Sequence, residues 1–254
     1  MGLFQPRQIA HTANVFFSQL CVVGKTVAIV HYNTPELTAA LIRSVAAHTP
    51  GAGFVVFDNS DHRPFAAPDG ICVEVIDNTK GQYINFEAWL QRHPDKIPTA
   101  CNWGSEKHIL SVQWLWDYLW MPFLLMDSDV LALQDLSPLA DEGVAWVGEV
   151  ERDPKFWFQA QRLFPHCLWI NVPMCEAAGV RFAREGYIYK GSHKGIPFYD
   201  TGGSFYRECR RAGLPGREIR LAEWVVHFGG ASCYGTLDAE VAWLKEHQHL
   251  YING

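Results

Sequence analysis

Short apolar runs alternate with polar turns and with stretches of helical spacing along most of the chain. Thr26–Val30 is a β-branched run that predicts a strand, and the polar segment His31–Glu36 follows it. Leu37, Leu41, Ile42 and Val45 then fall on one helical face. Thr34 and Pro35 suit the cap and first turn of that helix, and Thr49-Pro50-Gly51 ends it. Phe54–Phe57 and Ile71–Ile76 predict two further strands, closed by Asp58-Asn59 and Asp77-Asn78. Strand, helix, strand in this order predicts a right-handed βαβ start to a mostly parallel sheet flanked by helices, an α/β fold.

Beyond Gly81 the pattern predicts a helix near Tyr83–Gln91 and a loop through Pro94 and Pro98. Ser105 reads as the N-cap of a helix whose apolar face carries His108, Ile109, Val112, Leu115, Trp116 and Leu119. The run Phe123–Met126 leads straight into Asp127-Ser128-Asp129. Ala145–Gly148, Trp169–Val172 and Trp224–Phe228 are strand candidates, and Ser204–Arg211 and Leu237–Glu246 helix candidates. No composition shift marks a linker, so a single domain over 1–254 is expected.

A formal charge of −6 argues against non-specific nucleic-acid binding as the main task. The seven Cys are odd in number and include no C-x-x-C, which suggests reduced cytosolic thiols rather than a disulfide framework or a zinc knuckle. The first residues lack the charged and apolar regions of a secretion signal, and no run of about 18 apolar residues predicts a transmembrane helix. The expectation is a cytoplasmic protein, with peripheral membrane contact open to it through a lipid-linked substrate.

The sharpest chemical feature is Asp127-x-Asp129. In extended backbone, residues i and i+2 point the same way, so both carboxylates can converge just past a buried strand. Ligand sites of open α/β sheets gather at such strand ends. Two carboxylates and a diphosphate can share one Mg²⁺ or Mn²⁺, because hard cations take oxygen ligands. The alternative is a pair of turn aspartates.

The segments Val27–Asn33, Val55–Ser60, Gly104–His108 and Phe123–Val130 together resemble the GT-A glycosyltransferases, particularly the family 2-like members. The resemblance covers roughly the first 135 residues. It implies a nucleotide-sugar-binding half at about 26–135 and an acceptor-binding half at about 136–254. It implies transfer of a sugar, hexosyltransferase fashion, from a nucleotide diphosphate sugar (a UDP-sugar favoured) to a hydroxyl of a saccharide or lipid-linked acceptor. By position in the family pattern, Tyr32 and Asn33 lie in the loop that packs on the base. Asp58 sits where an acid accepts from the base. Lys107 and His108 fall in a segment beside the donor, and Lys80 shares the ambiguity of Lys107 between phosphate contact and solvent. Asp127 and Asp129 divide metal and ribose contacts between them, in an order left open. Val30 departs from the hydroxyl residue common in relatives, which bears on the base contacts.

The family often brings a late His to the metal, which His227 before Gly229-Gly230 would supply. A buried structural role is the alternative for His227, as it is for His108. On the acceptor side, Asp200 is the first candidate for the carboxylate that deprotonates the acceptor in an inverting reaction, with Glu149 second. Trp103, Trp157 and Trp169 are sugar-stacking candidates whose alternative is core packing. Two rival functions stand beside glycosyl transfer. One is a non-catalytic nucleotide-sugar or carbohydrate-binding module, against which the intact Asp127 and Asp129 argue. The other is a sugar-phosphate nucleotidyltransferase, which the lack of a Gly-rich basic loop after the first strand disfavours.

Overall fold

The computed structural model describes residues 25–92, 100–152, 160–183, 200–230 and 236–252, the side chains of 100–103 excepted. The elements of the first half are β1 (Thr26–His31), α1 (Pro35–His48), β2 (Gly53–Asp58), β3 (Val73–Asp77), α2 (Phe86–Arg92), α3 (Ala100–Leu119), β4 (Phe123–Asp127) and β5 (Val130–Ala132). Those of the second half are β6 (Trp146–Gly148), β7 (Val150–Glu151), β8 (Arg162–Leu163), β9 (Leu168–Ile170), α4 (Val172–Ala177), α5 (Gly203–Arg211), β10 (Gly216–Glu218), β11 (Val225–His227) and α6 (Leu237–Glu246).

Seven strands form one sheet in the order β10-β6-β9-β4-β1-β2-β3. All run the same way except β9, which is antiparallel to both β4 and β6. The protein is therefore a mixed α/β fold on a mostly parallel central sheet, as the βαβ pattern predicts. Parallel strands covered on both faces read as continuous apolar runs, and period-2 alternation divides them here. Ala28, Val30, Val55, Phe57, Phe123 and Leu125 face a core shared with Ile109, Val112, Leu115 and Trp116 of α3. Val27, Ile29, Phe54, Val56, Leu124 and Met126 face the opposite core, against Leu41, Ile42 and Val45 of α1.

From β1 the chain winds outward through β2 and β3, then returns to place β4 on the other side of β1. The strand order reverses there, and in open α/β sheets a crevice opens at the carboxyl ends of the strands flanking such a point. Registers align those ends: His31 pairs with Asp58, Asp58 with Asp77, and Val30 with Asp127.

Several boundaries differ from the sequence reading. The helix expected to start at Ser105 begins at Ala100, so Ser105 lies inside α3 and its hydroxyl donates to Asp200 Oδ1 at 2.6 Å. Thr34 precedes α1 without a side-chain cap bond; its Oγ1 instead lies 2.9 Å from Ser128 Oγ, tying the β1 loop to the Asp127–Asp129 loop. Val172 belongs to α4 rather than to a strand, with Asn171 accepting from Met174 N as the cap. β3 starts at Val73 and is only partly covered, because it is the sheet edge. The loop through Pro94 and Pro98, the Trp103 side chain and Trp157 lie outside the described residues. No described helix is long and apolar enough to cross a membrane.

Candidate functional site

Asp127 ends β4 and keeps 25% of its side chain exposed. Its neighbours come from three distant segments. β9 runs antiparallel to β4 with Leu125 opposite Leu168 and Phe123 opposite Ile170. Continuing that register two residues puts His166, in the 3-10 turn Pro165–Cys167, across from Asp127. β11 pairs antiparallel with β5, His227 opposite Val130, and Phe228 N donates to Asp129 O at 2.9 Å. Asp127, His166 and His227 each then offer a ligand atom, all within 4.8 Å of one another. From α3, His108 brings Nε2 to 3.2 Å from Asp127 Oδ1. That approach lacks hydrogen-bond geometry, and both atoms are buried with no hydrogen-bond partner.

A carboxylate oxygen that His108 approaches without a hydrogen bond, with the imidazoles of His166 and His227 close by, fits a divalent cation. Charge in the cluster is graded. Burial acts to raise the Asp127 carboxyl, but the adjoining His108 ring and then His166 and His227 outweigh it and hold it below the usual range. Burial, reinforced by repulsion from His227, depresses His166 to about 4, so its ring is neutral with a lone pair available at neutral pH. Burial pulls His227 down as well, but Asp129 prevails and raises it; Asp129 Oδ1 accepts from His227 Nε2 at 3.2 Å.

A second polar cluster crowns β1 and β2. Asn33 adopts φ 56, in the left-handed region that Asn tolerates. Its Oδ1 accepts from His62 N and Arg63 N, and its Nδ2 donates to Asp61 Oδ1 at 3.0 Å. Tyr32 donates its hydroxyl to Asp61 Oδ2 at 2.7 Å, and Lys107 Nζ lies 5.5 Å from the centroid of the Tyr32 ring. Asp58 is turned into its own loop: Oδ1 accepts from Ser60 N and Oδ2 from Phe65 N, with only 2% of the residue exposed. Lys80 is exposed, its backbone N donating to Gln82 Oε1.

The structure thus gathers Asp127, Asp129, His108 and His227 into one cluster, with Tyr32, Asn33 and Lys107 around a second at the same carboxyl end of the central strands. Asp200 is held differently. Its carboxylate accepts from Arg162 Nη1, from Ser105 Oγ and from Thr201 N. These three contacts commit both oxygens of Asp200 to donors of the protein itself, so an acceptor hydroxyl would have to share or displace one of them to reach the carboxylate. Glu149 accepts from Leu221 N at 2.5 Å and borders a cleft of about 650 Å³ that His166 and His227 also line. Trp169 is buried in the sheet core. Sequence reasoning missed His166, Asp61 and Arg162. His166 precedes the apolar run Leu168–Ile170, and nothing local marked the antiparallel register that sets it beside Asp127.

No protein-family model matches the chain, and no curated protein matches it. Solved structures overlay on it loosely. The apo-form glycosyltransferase GlyE of Streptococcus pneumoniae TIGR4 does so at 12% identity and TM-score 0.44, over 92% of this chain and 52% of that one. The galactosyltransferase LgtC, in complex with donor and acceptor sugar analogues, does so at 13% identity and TM-score 0.37, over 58% of each chain. The apo bifunctional glycosyltransferase WbbM does so at 9% identity and TM-score 0.42, over 78% of this chain and 39% of that one. The chain thus spans only about half the length of the structures it resembles. These overlays carry no residue roles across, and the reading of the site stands on its own geometry.

Proposed function

We infer that this chain is a metal-dependent glycosyltransferase that takes a nucleotide diphosphate sugar, with a UDP-sugar favoured, as donor to a hydroxyl acceptor. One observation carries the reading: Asp127, His166 and His227 converge at the end of β4, beside the strand-order reversal, with the Asp127 oxygen left without a hydrogen bond. A Mn²⁺ or Mg²⁺ ion held there would neutralise charge on a departing diphosphate. Two imidazoles favour Mn²⁺, since Mg²⁺ prefers an all-oxygen octahedron. His108 faces Asp127 from α3 and borders the same point. Asp129 orients His227 by accepting from its ring.

The Tyr32–Asn33–Asp61 cluster lies at the same carboxyl end of the strands and suits the base and ribose. The Tyr32 ring offers a stacking face, and Asp61 carries acceptor oxygens in an exposed loop. The acceptor would be a saccharide or a lipid-linked hydroxyl. Asp200 is engaged by Arg162, Ser105 and Thr201, so no base is assigned, and a retaining reaction needs none.

Calorimetry of UDP binding with and without Mn²⁺ tests the reading, joined to release of UDP from a panel of UDP-sugars. Mn²⁺-dependent binding with slow donor hydrolysis supports a transferase. Binding without any hydrolysis favours the non-catalytic module. Equal UDP affinity with and without metal removes the proposed role of the cluster.

A further inference from the structure

We propose that Phe164 and Arg162 are positioning residues for the two histidines of the Asp127 cluster, acting through a row of contacts from Arg162 to Phe164, His166 and His227. The proposal rests on the reading of that cluster as a metal site. The guanidinium of Arg162 lies over the Phe164 ring at 5.4 Å. The Phe164 and His166 rings are 5.2 Å apart between centroids, tilted by 40°. His166 and His227 are stacked at 4.2 Å with 18° between their planes. Two near-parallel imidazoles at this spacing can turn ring nitrogens toward one point, as neighbouring ligands of one cation must. Left alone, each ring would rotate about its Cβ–Cγ bond. The stack restricts that rotation for His166 from one side, and Asp129 restricts His227 from the other.

The far end of the stack is fixed as firmly. Arg162 begins the two-residue strand β8, its Nε donates to Glu151 Oε2 at 2.7 Å, and its Nη1 donates to Asp200. Asp200 is carried by a turn that must lie against β8. Gly202 has φ +85, and a Cβ there would sit 2.1 Å from Leu163 O, so only glycine permits the approach. Ser105 of α3 holds the second oxygen of Asp200. Arg162 is thereby engaged by two carboxylates, with its guanidinium carbon over the Phe164 ring. Its geometry suits a brace for the histidines better than a mobile phosphate-binding cation.

The test is Mn²⁺ and Mg²⁺ binding to the nucleotide-free chain, followed by electron paramagnetic resonance of unbound Mn²⁺ and by Mg²⁺ competition. Phe164→Leu keeps most of the bulk and removes the ring. It should weaken Mn²⁺ by about tenfold or more, the usual effect of losing a group that orients a metal-binding His. Mg²⁺, which leans on oxygen ligands, should change less, so the Mn²⁺ preference should fall toward that of a His166→Ala, His227→Ala double variant. Phe164→Tyr keeps the ring and should restore both values. Arg162→Lys keeps the charge but loses the plane, so it carries the same test should Phe164→Leu melt. A variant with wild-type Mn²⁺ affinity and wild-type preference, whatever its melting temperature, overturns the positioning role and leaves the metal site intact. A wild-type chain that takes up no Mn²⁺ overturns the metal site and this inference together.

Discussion

Tyr32 and Asp61 sit on loops after different strands, yet the Tyr32 hydroxyl donates to Asp61 Oδ2 at 2.7 Å. Burial acts to raise the Asp61 carboxyl, but the Tyr32 hydroxyl and Asn33 amide outweigh it and hold it below the usual Asp range. The carboxylate is thus ionised at neutral pH on an exposed loop, where the proposed nucleoside would meet an acceptor. Asp61→Ala should weaken Mn²⁺-supported UDP binding by about 1.5–3 kcal/mol, the range for one lost hydrogen bond to a charged group. Calorimetry with UDP checks this, and an unchanged affinity confines Asp61 to bracing the loop.

Asp58 should behave differently. Its two oxygens satisfy the amides of Ser60 and Phe65 in a buried position. Asp58→Ala orphans both, and each orphan costs about 1–3 kcal/mol. The expected result is a clear fall in denaturation midpoint, with any loss of UDP affinity following from a loosened loop. A variant of unchanged stability that fails to bind UDP would restore the direct base contact implied by family resemblance.

The halves of the chain differed in legibility for a physical reason. In the first half, strand follows helix follows strand, so the apolar period of Val27–Val30 and Val55–Phe57 and the Asp residues after them largely locate the sheet edge. Asp127 and Asp129 were legible because an apolar run ends on them. The second half is assembled from strands of two or three residues paired over long separations, such as β5 with β11. Segments that short carry little periodicity: Ala145–Gly148, Trp169–Val172 and Trp224–Phe228 were legible as strand candidates, but their pairing partners were not. His227 was reached from its place at the end of an expected strand together with the family resemblance, and His166 depended on an antiparallel register that no local signal specifies. Ser105 misled because a hydroxyl suited to capping was committed to Asp200 instead.

Glu74 offers a test of the fold away from the site. Tyr118 donates its hydroxyl to Glu74 Oε1, while Oε2 is buried with no partner. Burial raises the Glu74 carboxyl, with the Tyr118 bond opposing, and burial prevails. A raised carboxyl favours the protonated form in the folded state. Its contribution to stability is therefore full below the unfolded Glu value of about 4.3 and is lost as pH rises through the folded value. Glu74→Gln removes that titration. The melting temperature of the variant minus that of the wild type should become more positive between about pH 4 and about pH 7. A difference independent of pH would show that Glu74 titrates normally.

Asp127 and Asp129 should separate in single variants, although the sequence presents them as equivalent. Asp127 is the carboxylate grouped with His166 and His227, and its Oδ1 has no hydrogen bond to lose. Asp129 is 7% exposed, and its carboxylate engages His227. Removing Asp127 deletes a ligand of the proposed cation, so Asp127→Ala should abolish Mn²⁺-dependent UDP binding. Removing Asp129 leaves the Asp127 carboxylate and both imidazoles but frees His227 to rotate. Its loss should weaken Mn²⁺ by about 10–100-fold, as for other groups that orient a metal-binding His. Asp129→Asn retains an acceptor oxygen for the His227 ring and should recover part of the loss. Asp127→Asn keeps the shape but not the charge, and a neutral amide is a poor substitute for a carboxylate facing a divalent cation, so it should recover little. Mn²⁺ titrations of the four variants decide the matter. Equal losses at the two positions would mean that both carboxylates bind the cation directly. A larger loss at Asp129 would make Asp129 the ligand and Asp127 the orienting group.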